Sequence, residues 1–147
     1  MIKVKYNKDF ICIGTTKADI DNTIEIDART SFTEGDPIVD VAKRSKKLVV
    51  RSTYQIKVDA LARGYAQYEL DSFADQRVEY RNWKADDTSP TPVIDAIAAG
   101  RGISREDLLA KVEEKVVYIA TLQGQQNAKE DEINACTTLE EVEAVKL

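Results

Sequence analysis

Apolar positions recur every second residue in the first quarter of the chain, and every third or fourth residue after about residue 55. Ile2-Lys3-Val4-Lys5-Tyr6 alternates apolar with polar, which predicts a strand with one wet face. Asn7-Lys8-Asp9 is turn chemistry, and Phe10-Ile11-Cys12-Ile13 is a short apolar run closed by Gly14, so the two runs read as a hairpin. Thr23-Ile24-Glu25-Ile26-Asp27 predicts a further strand, and Glu34-Gly35-Asp36-Pro37 a second turn. Leu48-Val49-Val50 reads either as one more strand or as the opening of the next helix. The expected product is a small antiparallel sheet of three or four strands, which needs a helix or a partner chain to cover it.

From about Gln55 the spacing turns helical. Val58, Ala62, Tyr65, Phe73, Tyr80 and Trp83 mark one stripe, thickened by Leu61, Ala66 and Leu70 and interrupted by Glu69 and Gln76. The stretch to Lys84 contains no Pro and a single Gly, Gly64, and predicts one helix roughly 45 Å long at 1.5 Å per residue. That is too long for a small domain core, so part of it is expected to pack on another helix or subunit. Thr91 then offers an N-cap and Pro92 a first helical residue. The short helix through Val93, Ile94, Ile97 and Ala98 stops at Gly100-Arg101-Gly102. Ser104, with an acid three residues on, caps a second long helix whose apolar face is Leu108, Val112, Val116 and Ile119, widened by Leu109 and Leu122. After Leu122 the pattern weakens, with Ile133 nearly alone before Cys136. Thr137-Thr138 caps a last short helix that buries Leu139, Val142 and Val145. These patterns give an α+β fold: a β-rich domain at 1–54, then a helical interaction region at 55–147 built as a long-helix hairpin or bundle.

Composition narrows the function. With 147 residues, 43% of them hydrophobic, the chain can bury a real core. Residues 1–54 hold ten Lys and Arg against eight acids, and residues 55–147 hold eleven against eighteen. An acidic helical half repels a phosphate backbone, so nucleic acid is a disfavoured partner. The one basic cluster, Lys43-Arg44-Ser45-Lys46-Lys47, lacks stacking aromatics and reads as a solvated face. Histidine is absent, which removes His-assisted nucleophiles and most catalytic zinc sites, and nothing selects a pair of acids for carboxylate chemistry. Asp19 to Glu25 echoes a calcium loop but lacks its central Gly and closing Glu. Gly100 and Gly102 lack the strand and third Gly of a dinucleotide fingerprint. No enzyme, cofactor or metal is expected. Cys12 and Cys136 are read as unpaired, partly buried thiols in a reducing compartment. No signal peptide or membrane span is seen, and a soluble protein made in a cytosol is expected. The aromatic series Tyr65, Tyr68, Phe73, Tyr80 and Trp83 fits a packed helix face, and equally fits interface anchors.

Trp83, Thr91, Pro92, Asp95, Ala96, Ile97, Arg101, Gly102, Ile103, Glu106, Leu108, Lys111 and Val112 form a string of specific spacing. It resembles the C-terminal region of small bacteriophage and prophage proteins encoded among tail and tail-fibre genes, over roughly residues 78–145. Residues 1–54 carry no such resemblance. The resemblance implies a virion component of the tail or its fibres, assembled in the bacterial cytoplasm, that works by association with other phage structural proteins and in homo-oligomers. The expected interface is Tyr65, Tyr68, Phe73, Tyr80 and Trp83 with Leu108, Val112, Val116 and Ile119. The alternatives are an assembly chaperone that leaves the particle, and a nucleic-acid-binding phage regulator resting on the Lys43–Lys47 cluster.

Overall fold

A computed structural model describes residues 1–7, 9–16 and 22–147. Three strands, β1 (Ile2–Tyr6), β2 (Cys12–Thr16) and β3 (Thr23–Ile26), precede five helices. These are α1 (Ile38–Ala62), α2 (Gln67–Ala85), α3 (Pro92–Arg101), α4 (Arg105–Ala135) and α5 (Leu139–Ala144). The fold is α+β, as the two periodicities predict. It divides into two compact units, Met1–Lys57 with Gly124–Leu147, and Val58–Gln123. Of the calcium-loop echo, residues 19–21 lie outside the described residues, and Thr23, Ile24 and Glu25 belong to β3. No helix among the described residues is long and apolar enough to cross a membrane.

In the first unit the sheet is antiparallel with order β2-β1-β3, and Val4 pairs with Thr15 on one side and Ile24 on the other. Gly35, at φ +98°, turns the chain so that its own N–H donates to the Cys12 carbonyl while Cys12 N–H donates to the Asp36 carbonyl. Ile38 N–H then donates to the Phe10 carbonyl at 2.7 Å, which aims α1 across the sheet. Val4, Cys12, Ile24 and Ile26 are buried against Ile38, Val41 and Val50 of α1, and against Ile133, Cys136, Leu139, Val142 and Val145. Both cysteines are unpaired and buried, and burial pushes the Cys12 thiol pKa up.

Three expectations change here. Leu48-Val49-Val50 is neither a strand nor a helix start, because it lies inside α1. The helical stripe Ile38, Val41, Ala42, Ser45 begins well before Gln55, and the basic run between its members conceals it. The division after residue 54 therefore falls within α1. Residues 124–147, expected in the helical region, close the sheet's core instead. Their apolar residues recur every third position from Ile133 to Val145, a stripe that needs a partner surface. Finally, the single helix from Gln55 to Lys84 is broken. Gly64 takes φ +88°, Tyr65 and Ala66 are extended out of the helix, and the Glu69 carboxylate accepts from the Ala66 N–H at 2.8 Å to start α2.

The basic cluster has a structural role. Lys43 Nζ donates to the Asn134 carbonyl (3.0 Å), Lys47 Nζ to Asn134 Oδ1 (2.7 Å), and Lys46 Nζ to the Glu143 carbonyl (3.2 Å). Those carbonyls belong to the last turns of α4 and α5, where helix oxygens lack intrahelical donors and the helix dipole favours cations. Arg44 pairs with Asp36 at 2.6 Å. α5 itself opens on a capping box in which Thr138 Oγ1 accepts from Glu141 N–H and the Glu141 carboxylate accepts from Thr138 N–H.

Arg51 reaches from α1 to α4 in bidentate fashion, its Nε and Nη2 donating to Glu130 Oε1 (2.9 Å) and Oε2 (2.7 Å). The guanidinium holds the Glu130 carboxyl below its ordinary value of 4.5. A lowered folded-state pKa contributes stability that is present above the unfolded value and is lost as pH falls through the folded one. Because Arg51 is largely exposed, Arg51→Met is expected to cost about 0.5–1 kcal/mol at neutral pH. The gap between wild type and variant should close as thermal unfolding is repeated below pH 4.5; a gap that persists unchanged in acid would contradict the assignment. Gly64→Ala places a Cβ in open space but in a left-handed conformation. It should destabilise by about 1 kcal/mol in denaturant titration, from backbone strain alone.

Candidate functional site

The second unit is built on α2, α3 and the first half of α4. Its core is Tyr80, Ile94, Ala98, Leu108, Leu109 and Val112, with Trp83, Ile97, Ile103 and Val116 packed on the rim. At the start of α3 Thr91 is only 1% exposed and Ile94 is fully enclosed, while Pro92 and Asp95 face out. Pro92 has no N–H to satisfy, but Val93 and Ile94 do. Thr91 was the expected cap, yet its hydroxyl bonds the Asp95 carboxylate (3.2 Å) rather than a backbone N–H. Glu79 of α2 takes the role from fourteen and fifteen residues away. Val93 N–H donates to its Oε1 and Ile94 N–H to its Oε2, both at 2.9 Å. A carboxylate at this end also matches the positive pole of α3. At the other end Gly102 is left-handed, its N–H donating to Ala98 and Ala99 carbonyls, and Ser104 Oγ then caps α4 by accepting from Asp107 N–H.

Between the start of α2, α3 and α4 lies an open groove of about 1020 Å³. Phe73 and Tyr65 form one wall, edge to face with ring centroids 5.1 Å apart. Lys115 of α4 sits over both rings, 4.3 Å from the Phe73 centroid and 4.7 Å from that of Tyr65, and its ammonium donates to the Tyr65 hydroxyl at 3.4 Å. Val93 and Ile97 of α3 form the facing wall, and Leu108 and Val112 the floor. Glu69, Ser72 and Gln76 run along α2 as a polar edge, with Gln76 Nε2 donating to Ser72 Oγ (2.9 Å). The residues that interrupt the α2 stripe are therefore part of the groove. A smaller hollow of about 310 Å³ continues past Phe73 toward Leu70, Val116 and Ile119.

The nine expected interface residues divide. Tyr65, Tyr68 and Phe73 stand in the groove with Leu108 and Val112 beneath them, and Tyr68 is 76% exposed. Val116 and Ile119 line the smaller hollow. Tyr80 and Trp83 face inward instead, with ring centroids 6.5 Å apart, because α3 lies directly on that end of α2. Burial pushes the Tyr80 phenol pKa up, and Glu113 beside it is held down by its bond from Lys84. Leu108 and Val112 belong to the same inner cluster and offer a partner only their groove-side edges. Sequence reasoning missed Val93, Ile97 and Lys115 as site residues. Lys111 and Lys115 are the two cations set among Leu108, Val112, Val116 and Ile119 at helical spacing, and nothing local marks Lys115 as the one that stacks on the rings.

No protein-family model, curated protein or solved structure matches the chain. Among the described residues no group of three or more His, Cys, Asp or Glu gathers as a metal site. The groove's chemistry is contact chemistry: aromatic and aliphatic surface with cations along its rim.

Glu79→Ala is expected to lower stability by about 1–2 kcal/mol, as loss of a helix cap does, and Glu79→Gln by less. The informative readout is hydrogen exchange at Val93 and Ile94. Their amides should lose protection in the Ala variant while those of α5 keep it; equal loss in both places would mean that Glu79 acts only on global stability.

Proposed function

We propose that the chain is a structural component of a bacteriophage tail or tail-fibre assembly that works by protein–protein association. The observation that carries this reading is the open groove of the second unit, an aromatic and aliphatic surface large enough to seat side chains of another protein. Its setting in the tail comes from the resemblance of the Trp83–Val112 string. Within that string Thr91, Pro92, Asp95, Arg101, Gly102 and Ile103 build α3 and its two ends, so the resembling residues are those that raise the groove's α3 wall. The partners on this reading are other tail proteins and further copies of the chain. Association is preferred to the regulator alternative because Lys43, Lys46 and Lys47 already serve helix-end oxygens of their own unit and Arg44 pairs with Asp36.

Mass spectrometry of purified particles from the encoding phage tests the reading. Stoichiometric recovery of the chain in mature particles is the expected result. Absence from particles, with co-purification on unassembled tail or fibre protein, would replace it by an assembly chaperone. Absence from both would overturn the tail setting altogether.

A further inference from the structure

We infer that the groove of the second unit is covered by a second copy of this chain, paired about a two-fold axis close to Glu114. The inference rests on reading the groove as an association surface and is independent of the phage setting. Two uncovered surfaces of the unit carry it. One is the groove. The other is a strip on the outer side of α4, where Val117 and Tyr118 are 56% and 44% exposed beside Glu113 and Glu114. Glu114 lines both, so the two surfaces share a border along α4. When complementary patches adjoin, a two-fold axis through their border lays each patch on its counterpart, and both contacts form twice.

Charge favours this occupant. Acids outnumber bases over residues 58–123, yet the groove rim carries Arg101, Lys111 and Lys115. The same rim holds two acids, Glu69 and Glu114, and Arg101 and Lys111 stand in no ion pair among the described residues. Glu114 is exposed and likewise stands in no ion pair among the described residues. Antiparallel packing of α4 on α4 of the second copy sets Lys111 and Lys115 of one chain beside Glu114 of the other. The strip's Tyr118 then enters the partner's groove near the same cations. An unrelated acidic helix would answer the groove's charge but leave Val117 and Tyr118 in water. A second copy covers both surfaces.

Sedimentation velocity on the full chain over a concentration series tests the pairing. Lys111 and Glu114 are exposed, so their substitution leaves both hydrophobic clusters untouched. Wild type should form a dimer. Lys111→Glu and Glu114→Lys should each raise its Kd about tenfold or more, and the double variant should return it to within about threefold. Val117→Asp should weaken the dimer without rescue by either charge change. A monomeric wild type, a dimer indifferent to the single variants, a double variant that stays weak, or masses climbing beyond the dimer would each overturn the proposal. A monomer that is nevertheless recovered in particles would remove the self-pairing and leave the tail reading standing.

Discussion

The two hydrogen bonds that Glu79 accepts from the start of α3 set the geometry of the second unit. A ten-residue helix has too little length to be stable alone and must dock to form. Docking partly buries its first turn, which leaves two N–H groups in need of an acceptor. Those N–H groups are partly buried, and the local hydroxyl of Thr91 is already turned to Asp95. One carboxylate on a neighbouring helix supplies both acceptors and a negative charge at the favourable pole of α3. Because both oxygens are engaged, the spacing and rotation of α3 against α2 are set together. Ile94 and Ala98 are thereby held in the core with Tyr80, while Val93 and Ile97 are turned toward the groove.

The first unit applies the same physics at the opposite helix pole. There the C-terminal carbonyls of α4 and α5 accept from lysines of α1, and the stripe from Ile133 to Val145 completes the sheet's core. A three-stranded sheet of strands this short is marginal, and a single helix covers only part of one face. The returning C-terminal segment supplies the missing apolar surface. The lysines hold the helix ends that deliver it, each bond being modest because the ammonium groups stay near water. In both units a charged side chain of one helix serves the end of another, and the basic run of α1 is a fastener in three dimensions.

Local signals were legible and remote ones were not. The strands Ile2–Tyr6 and Thr23–Ile26, the Pro92 start, the Gly102 stop and the Ser104 and Thr138 caps all depend on neighbours within four residues, and such patterns stand in the sequence directly. Glu79 acts across fourteen residues and Lys43 across ninety-one, so neither partner could be named from spacing. A single Gly such as Gly64 is compatible with a continuous helix, but its left-handed conformation makes it a stop, and the Glu69 carboxylate restarts the chain. In the C-terminal stripe the burial of Leu139, Val142 and Val145 is legible, while Ile133 and Cys136 stand among polar residues and look isolated. Its three-residue spacing had meaning only once the sheet offered a surface to bury it on. For the site, the aromatic wall was anticipated, while the α3 wall and Lys115 needed the docking of α3 to be known.

Why the groove is open follows from helix lengths. At about 1.5 Å per residue, α3 is roughly half as long as α2 and a third as long as α4. Seated by Glu79 near the C-terminal end of α2, it covers Tyr80 and does not reach over the N-terminal turns of α2. The turn at Gly64 brings Tyr65 back across part of that surface, and Lys115 fixes the ring there by cation–π contact. What remains is apolar surface too wide for one tyrosine to close. Leaving it in water costs free energy in proportion to its apolar area, on the order of 25 cal/mol per Å². The exposed strip of Val117 and Tyr118 carries the same cost on the outer side of α4. A surface that removes both costs at once must be apolar in two adjoining places with opposite charge at the border, and the chain's own α4 meets that requirement.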